Sequence, residues 1–257
     1  MAPAYDRRAA PRLFARPARH LVALLDLPTG GRVLDVGAGT GVAALGAMKS
    51  LGPAGIAVGL DPSRQMLGLA RSKGLARVVC GVAPYIPFRD GVFDGVLASF
   101  VLNHFASYEL ALTDMVRVLR PGVRLGVTSW GPLENEFRDF WRSLLDSVIG
   151  KEVSSQCLGQ AIPWEQWFSD PSHLRGALEH AGLASVDVEE RSYRTRMTIA
   201  GYLAMREVAM QARLARRILG AEEWERLRGS ISRAFHSRFR EPIVEINRVH
   251  FGVGVKP

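Results

Sequence analysis

The feature that most constrains the fold is a short apolar run that ends in three alternating glycines. Residues 32–36 are mostly apolar and β-branched, and Gly37, Gly39 and Gly41 follow directly. A run that stops so abruptly predicts a buried strand, and the Ala-rich residues 42–48 predict a helix behind it. Because a strand, a glycine turn and a helix start bring backbone N–H groups to one point, the sequence predicts a binding site for a polar or anionic ligand group.

Two kinds of nucleotide ligand use such a turn, and the spacing of the glycines separates them. The dinucleotide fingerprint places its third glycine at the position that Val42 holds here. This chain has glycines at 37, 39 and 41, with Asp35 two residues upstream of the first. The arrangement resembles motif I of the class I S-adenosylmethionine (SAM) dependent methyltransferases. The resemblance implies SAM as the cofactor, S-adenosylhomocysteine as its product, and cofactor contacts from Asp35, Gly37, Ala38, Gly39 and Gly41.

A second acidic residue follows the next predicted strand. Residues 55–60 are apolar, and Asp61 stands at their carboxyl end, 20 residues beyond Gly41. A carboxylate there can accept both hydroxyls of a ribose, and the alternative is a plain N-cap of the helix predicted at 64–73. Family members usually carry an acidic residue after the third strand, where it accepts the adenine amino group, but this chain has Val82. The resemblance then implies adenine contacts through backbone and apolar groups, and it assigns further cofactor contacts to Asp61, Pro62, Met66, Val82, Ala83 and Ser99.

Strand and helix patterns alternate through the first half of the chain. Strands are predicted at residues 32–36, 55–60, 76–80, 95–100 and 123–130, and a helix stop at Arg120-Pro121-Gly122 precedes the fifth. Short connections between such units imply a parallel sheet with helices on both faces and a ligand beyond the carboxyl ends of the strands. The resemblance extends this to an α/β fold with a doubly wound, seven-stranded Rossmann-like sheet and helical lid insertions.

The resemblance is weaker after residue 130. Helices are predicted at 136–149, 171–180, 199–219 and 222–239, and strands at 185–197 and 249–255. The family fold would place the last strand antiparallel at the edge of the sheet. We expect one domain over residues 1–257, with an N-terminal lid helix at 5–27 and lid insertions at about 133–165 and 198–248.

The basic character of the chain is concentrated in one late segment. The formal net charge is +8, and residues 191–248 contain 13 Arg, 6 Glu and neither Lys nor Asp. These arginines could recognise a carboxylate or phosphate on an acceptor, contact nucleic acid, or form a solvated helical face. The solvated face is favoured, because charged runs on helices usually face water. Nucleic acid is disfavoured as a partner, because no recognised RNA-binding module accompanies the charge.

Cysteine usage and hydropathy bear on the compartment. Cys80 and Cys157 do not make a disulfide framework, which favours a reducing environment, and we expect a cytoplasmic protein. No apolar run approaches the roughly 20 residues that span a bilayer, so no membrane span is expected. The sequence leaves the oligomeric state open.

The residues that would perform methyl transfer are fewer than those that would hold its donor. Transfer from a sulfonium is an in-line displacement on an activated donor, so the protein mainly aligns the acceptor and sometimes removes a proton. His104 follows strand four, where the resemblance places the reacting centre, and an imidazole titrates near neutral pH. It is the candidate general base, and packing or hydrogen bonding alone is the alternative. The aromatic candidates for the acceptor pocket are Tyr5, Tyr85, Trp130, Tyr193 and Tyr202.

Several related reactions are disfavoured by the residues present. The histidines and cysteines show no zinc spacing, and strand four ends in Ser99 rather than the carboxylate of magnesium-dependent catechol methyltransferases, so no metal is expected. Residues 99–102 lack the proline pair of amino-group methylating enzymes, and neither cysteine lies in the Pro-Cys pair used for covalent pyrimidine methylation. The resemblance therefore favours the broad small-molecule methyltransferases of the ubiquinone and menaquinone biosynthesis type.

This leaves one favoured function and three alternatives. The favoured function is O- or C-methylation of a small organic acceptor, a class that includes acidic and natural-product-like compounds. An RNA or protein methyltransferase would use the same chemistry on a larger acceptor. A SAM-fold cyclase or SAM-binding module would not transfer the methyl group, and a dinucleotide-dependent oxidoreductase is the least favoured alternative.

Overall fold

One mixed sheet organises the chain in the computed structural model, which describes residues 2–132 and 135–257. The strand order is β3-β2-β1-β4-β5-β7-β6, and strands β1 to β5 are mutually parallel. This confirms the predicted doubly wound, seven-stranded sheet. The strands are β1 (Arg32–Val36), β2 (Ile56–Asp61), β3 (Arg77–Cys80), β4 (Gly95–Ser99), β5 (Arg124–Trp130), β6 (Ala184–Met197) and β7 (Ile243–Val255).

The closing strand is inside the sheet, so its predicted place at the edge is wrong. Strand β7 runs antiparallel to both β5 and β6, with Gly252 opposite Val127 on one side and Val188 on the other. Its Phe251 is buried, which suits a central strand. Strand β6 forms the edge and carries six charged residues, which is a common protection of a free edge against pairing with other chains.

Helices cover both faces of the sheet. On one face α2, α3 and α4 pack through Leu21, Ala44 and Ala70, and on the other α5 and α8 pack through Leu112 and Leu174. The α-helices are α1 (Ala2–Arg8), α2 (Ala15–Leu24), α3 (Val42–Leu51), α4 (Arg64–Ser72), α5 (Tyr108–Val118), α6 (Glu136–Ile149), α7 (Lys151–Ala161), α8 (Pro171–His180), α9 (Ile199–Arg206) and α10 (Met210–Arg238). A π-helical turn at Ala10–Phe14 joins α1 to α2.

A separate hydrophobic core lies among α6, α9 and α10. We call α6, α7, α9 and α10 the helical region. Its core is built around the fully buried side chains of Trp141, Tyr202 and Phe235, and Ala9 of the N-terminal segment joins it. Phe14 packs against both this core and the core beneath α2 and α3, so the N-terminal segment connects the helical region to the sheet.

The helical region differs from the prediction in several details. Helix α6 has the predicted bounds, whereas the helix predicted at 199–219 is wrong, because α9 ends at Arg206 and α10 begins at Met210. Helix α10 is itself bent at Gly220, which adopts a φ of 78°. Helix α7 was not predicted, because its sequence is polar and buries only Ser154. Residues 133 and 134, at the start of the first predicted insertion, lie outside the described residues.

Candidate cofactor and catalytic site

The glycine turn is tied by hydrogen bonds to the end of β2. The N–H groups of Gly37 and Ala38 donate to the carbonyl of Leu60 at 2.8 and 3.0 Å. The N–H of Gly39 donates to Oδ2 of Asp61 at 2.8 Å. The turn after β1 therefore forms one rigid unit with Asp61, the last residue of β2, at the carboxyl edge of the sheet. Gly39 and Asp61 are 22 residues apart in sequence.

Two glycines of this turn show why no side chain is tolerated. A Cβ on Gly37 would lie only 2.4 Å from Cγ2 of Val101 in the loop after β4. At Gly39 the φ of 53° disfavours other residues, and the nearest atom to a built Cβ is 4.0 Å away, so the space in front of its backbone is open. The turn thus packs against the β4 loop on one side and offers bare backbone on the other. Gly41 precedes α3 directly and has a φ of 81°.

Two buried carboxylates lie behind this open space. Asp35 is 1% exposed and its Oδ2 accepts a hydrogen bond from the Ala44 N–H at 2.9 Å. Asp61 is 8% exposed, and its Oδ1 accepts from the Ser63 N–H at 2.8 Å. Burial raises the pKa of Asp35 to about 7 against the lowering effect of the Ala44 hydrogen bond, and the charge of Asp61 adds to the rise.

This arrangement fits a ligand that brings hydroxyl groups and positive charge. Neither Asp35 nor Asp61 forms an ion pair with a lysine or arginine of the described residues. Each Asp61 oxygen has one backbone donor and keeps acceptor capacity for a further partner. SAM carries two ribose hydroxyls, an ammonium and a sulfonium, so the residues present fit it.

Pro62 and Met66 lie at the start of α4, beside Asp61. The side chain of Ser63 caps this helix by accepting from the Met66 N–H at 3.3 Å. The Pro62 carbonyl lies 3.5 Å from Sγ of Cys80, the last residue of β3. These contacts fix the ends of β2 and β3 side by side, which places Met66 and Val82 near the same edge.

The residues after β3 and β4 complete the edge. Val82, which stands where the family usually has an acidic residue, is 46% exposed, and Ala83 is buried. Ser99 ends β4, and its Oγ lies 3.3 Å from Oγ1 of Thr128 on β5. Within the described residues, no group of three or more His, Cys, Asp or Glu side chains is placed to hold a metal ion.

His104 lies in the single helical turn Leu102–His104 after β4. Its side chain is exposed, yet crowding by protein atoms lowers the pKa of His104 below its ordinary value, against the opposing charges of Glu165 and Asp61 and a backbone contact at Ala161. At neutral pH the lowered pKa keeps the imidazole neutral, which is the form that can accept a proton.

A carboxylate that the sequence did not indicate lies against this loop. Asn103 donates through Nδ2 to Oε2 of Glu165, and Trp164 donates through Nε1 to the Phe105 carbonyl at 2.9 Å. These bonds hold the segment after α7 against the residues on either side of His104. Glu165 has no periodic pattern or motif around it, and its partner is 62 residues away, so no local signal could have identified it.

Aromatic side chains of the N-terminal segment approach the same edge. Burial raises the pKa of Tyr5 above its ordinary value, and the negative charge of Asp61 adds to the rise. The ring of Phe14 contacts those of Phe100 and Trp130 at centroid distances of 5.2 and 5.8 Å. Of the other predicted pocket residues, Tyr85 in the loop after β3 is 84% exposed, and Tyr202 is buried in the core of the helical region. Tyr193 stacks beneath Arg16 instead.

Comparison with known proteins gives the class of this chain. A family model described as a methyltransferase domain matches residues 34–127. A ubiquinone/menaquinone biosynthesis C-methyltransferase of Cupriavidus necator is 33% identical over 171 residues, which cover 62% of this chain and 69% of that protein. A tRNA (carboxymethyluridine(34)-5-O)-methyltransferase of Xenopus tropicalis is 34% identical over 140 residues, or 53% of this chain and 21% of that protein.

A solved structure supports the fold over nearly the whole chain. The YcgJ protein from Bacillus subtilis superposes with a TM-score of 0.61 at 18% identity and covers 94% of this chain and 98% of its own. The chain therefore belongs to the class I SAM-dependent methyltransferases. Membership confirms the expected enzyme class and its cofactor, SAM, and it removes the dinucleotide-dependent alternative.

None of the helices in the described part of the chain combines the length and the apolar character that a membrane crossing requires.

Proposed function

We propose that this protein transfers the methyl group of SAM to an oxygen or carbon atom of a small organic acceptor. The observation that carries the proposal is the unit formed by the glycine turn and Asp61, with His104 in the helical turn after β4 at the same edge of the sheet. The similarity to a protein named as a C-methyltransferase of ubiquinone and menaquinone biosynthesis supports a small acceptor and favours carbon as its atom.

The cofactor would be held by the residues that line the carboxyl edge. Asp61 would accept the ribose hydroxyls, because charge-assisted hydrogen bonds to two neighbouring hydroxyls suit its two oxygens. Gly39 leaves room for close approach to its backbone, and Val82 and Ala83 would contact the adenine. We assign the remaining contacts to Asp35, Gly37, Ala38, Gly41, Pro62, Met66 and Ser99. SAM supplies an activated methyl group on a sulfonium, so these residues have only to bind and orient it.

His104 would act on the acceptor. Its neutral imidazole can accept the proton of a hydroxyl or of an acidic carbon as the methyl group is transferred. Glu165 and Asn103 would fix the loop that carries it. The alternative role, alignment without proton transfer, predicts that kcat/KM does not follow the titration of this side chain.

The helical region would act as a lid over the acceptor in a single domain. Glu165 and the N-terminal segment at 5–27 both reach the edge where the cofactor contacts are assigned, and the helices of the predicted insertions at 133–165 and 198–248 share a core with that segment. A cytoplasmic location is proposed from the two cysteines, which are both free, and cell fractionation would test it.

The RNA and protein alternatives have less support. The exposed arginines of α10 are partly neutralised on the same helix, because Arg226 pairs with Glu222 and Glu223, and Arg228 with Glu225. This is the solvated face that the sequence favours. Binding of RNA that weakens steeply with salt would support the alternative.

The test is a transfer assay with methyl-labelled SAM. Purified protein is incubated with a panel of quinols, phenols, enols and their acids, and labelled product is detected by mass spectrometry. We expect labelled product together with stoichiometric S-adenosylhomocysteine from at least one class. Tight SAM binding without any labelled product, on small molecules, RNA or protein, would contradict the proposal and favour a cyclase or a SAM-binding module.

A further inference from the structure

The arginines of the helical region divide into an exposed and a buried group. Those of α10 are exposed, including Arg213, Arg216 and Arg217. Arg138 on α6 and Arg206 on α9 lie inside, with side chains only 19% and 15% exposed. A guanidinium that is largely removed from water needs partners for its five donors.

Arg206 has its partners within the protein. Its Nη2 lies 2.8 Å from Oε1 of the buried Glu245, and its Nε donates to the hydroxyl of Tyr202 at 3.0 Å. Glu245 also accepts from Nδ2 of Asn135 at 2.9 Å. This local network accounts for Arg206 without a ligand.

Arg138 does not have such partners. Its nearest carboxylate oxygen, Oε1 of Glu165, lies 3.8 Å away, which is an ion pair but not a hydrogen bond. Among the residues that the structure describes, its guanidinium makes no hydrogen bond, and the other oxygen of Glu165 is held by Asn103. Burial and the positive charges of Arg206 and Arg142 lower the pKa of Arg138 to about 10, so the group is still charged at neutral pH in an electropositive environment.

The guanidinium of Arg138 lies among other charged groups. The positive charges of Arg206 and Arg142 and the carboxylates of Glu165 and Glu245 all act on it. A carboxylate brings one negative charge, which matches one guanidinium, whereas a phosphate monoester brings nearly two. The planar fork of an arginine also matches the two oxygens of a carboxylate.

The position of Arg138 connects it to the acceptor side of the site. Glu165 contacts Arg138 with one oxygen and Asn103 with the other, and Asn103 is the neighbour of His104 in sequence. The guanidinium is therefore separated from the loop of the candidate base by a single side chain. An acceptor placed beside His104 could reach it.

We infer that the acceptor carries a carboxylate and that Arg138 binds it. This inference rests on the proposed function and deepens it by naming the acceptor class. The carboxylate completes the hydrogen bonds of Arg138 and compensates its charge. Arg138 is then a specificity-determining residue, and an ester or amide of the same acceptor leaves its donors unpaired.

The first experiment compares hydroxybenzoic acids with their methyl esters as acceptors for the wild type, Arg138→Gln, Arg138→Lys and the control Arg213→Gln. We expect the wild type and the control to prefer the acids. Arg138→Gln should lower kcat/KM for the acids by about 10- to 100-fold, the size expected for a hydrogen bond between charged groups, and leave the esters unchanged. Equal use of acids and esters by the wild type would overturn the inference while leaving methyl transfer intact.

The second experiment does not depend on turnover. Calorimetry measures the binding of benzoate and benzamide to the same four proteins loaded with S-adenosylhomocysteine, after their SAM affinity and melting temperature have shown that they fold. We expect benzoate to bind the wild type and Arg213→Gln equally well. It should bind Arg138→Gln at least about 10-fold more weakly. Benzamide should bind none of the four proteins tightly. Arg138→Lys keeps the positive charge but lacks the planar fork of arginine, so its affinity for benzoate should be intermediate. This variant tests the carboxylate site if Arg138→Gln does not fold.

The two experiments separate the possible failures. If no panel compound is methylated but benzoate binding requires Arg138, the proposed function fails and the carboxylate site stands. If benzoate binds Arg138→Gln or Arg138→Lys as tightly as the wild type, the carboxylate site is wrong whatever the transfer assay shows.

Discussion

The sheet and the helical region satisfy their polar groups in different ways. At the carboxyl edge of the sheet, Asp35 and Asp61 accept hydrogen bonds from backbone N–H groups a few ångströms away, and the glycine turn is fixed by the same bonds. In the helical region the buried polar groups depend on side chains from distant parts of the sequence, such as Arg206 with Glu245 and Arg138 with Glu165.

The two regions also differ in how many buried polar atoms lack a partner. Among the described residues, four buried atoms in or beside the helical region have no hydrogen-bond partner: Trp141 Nε1, Arg142 Nε, Asp146 Oδ1 and Glu245 Oε2. Near the glycine turn, Thr40 Oγ1 is the atom without a partner. Buried polar atoms without partners are rare in native proteins and call for an explanation such as a ligand. The sheet edge is therefore the half of the molecule that is more nearly complete without a ligand, and the helical region is the half that the proposed acceptor would complete.

The largest expected effect tests whether the two halves are energetically separate. Trp141 is 1% exposed in the core of the helical region. Replacing it with alanine should lower the free energy of unfolding by about 3–5 kcal/mol, measured by urea denaturation, and leave SAM affinity unchanged. The control is Trp167→Ala, an exposed tryptophan whose loss should cost less than about 1 kcal/mol. A strong loss of SAM affinity in the folded Trp141→Ala protein would show that the halves are coupled.

A substitution at the carboxyl edge of the sheet should have the opposite effect, because it should lower SAM affinity rather than the stability of the helical region. Asp61→Asn removes the charge that we propose for binding the ribose, so SAM affinity measured by calorimetry should fall by about 10- to 100-fold, while the preference for acids over esters stays the same. Asp187→Asn is a matched control, because that carboxylate is 82% exposed on β6. Unchanged SAM binding in Asp61→Asn would leave the hydrogen bonds that Asp61 accepts from the Gly39 and Ser63 N–H groups as its sufficient role.

The pH dependence of stability gives a smaller effect with a defined sign. Burial raises the pKa of Asp35 to about 7 from an ordinary 3.8, so the folded protein binds more protons than the unfolded chain between these values. Without SAM, the wild type should therefore lose stability relative to Asp35→Asn as pH rises towards 7, by roughly 1 kcal/mol per pH unit, and the difference should then level off. Urea denaturation from pH 5 to 8 measures it, and a difference independent of pH would contradict the raised pKa.

The smallest effect concerns the pH profile of catalysis. The limb of kcat/KM that rises with pH should reflect His104, with a midpoint below the ordinary histidine value because burial lowers its pKa. Glu165 opposes that shift, so Glu165→Gln should move the limb to still lower pH. Glu152→Gln, on the polar helix α7, should leave it in place. A limb that survives in His104→Ala would assign it to another group.

The same contrast explains what the sequence could predict. The first five strands and the glycine turn follow from local patterns, because Gly37 stands directly after one apolar strand and Asp61 ends the next. Glu165 and Arg138 acquire their environment only when residues from α6, the segment after α7 and the β4 loop meet. Likewise, nothing in the periodicity of 199–219 indicated the break between α9 and α10, and the polar α7 gave no helical pattern.

The place of β7 was mispredicted for a related reason. The sequence pattern of a strand of this length does not distinguish a position at the edge of a sheet from one in its centre. Its neighbours in the sheet depend on which faces the other elements cover. Helix α8 packs so closely on it that a Cβ on Gly252 would lie 2.7 Å from Cδ1 of Leu178. The charged pattern of β6 was the available signal that this strand, rather than β7, forms the edge.

The long β6–β7 ladder has a consequence for how acceptor choice can change. Helices α9 and α10 connect these two strands, and the ladder continues up to the pair Met197 and Ile243, where the Ile199 N–H also donates to Oε1 of Glu241 at 2.8 Å. The two ends of the connection are therefore held as neighbours by the sheet itself. Because the entropy of closing a loop grows only slowly with its length, the connection 198–242 can change in length with little cost in loop closure. Its main constraint is the core that Tyr202 and Phe235 share with α6. Variation that keeps this core can therefore accumulate between β6 and β7 without disturbing the sheet.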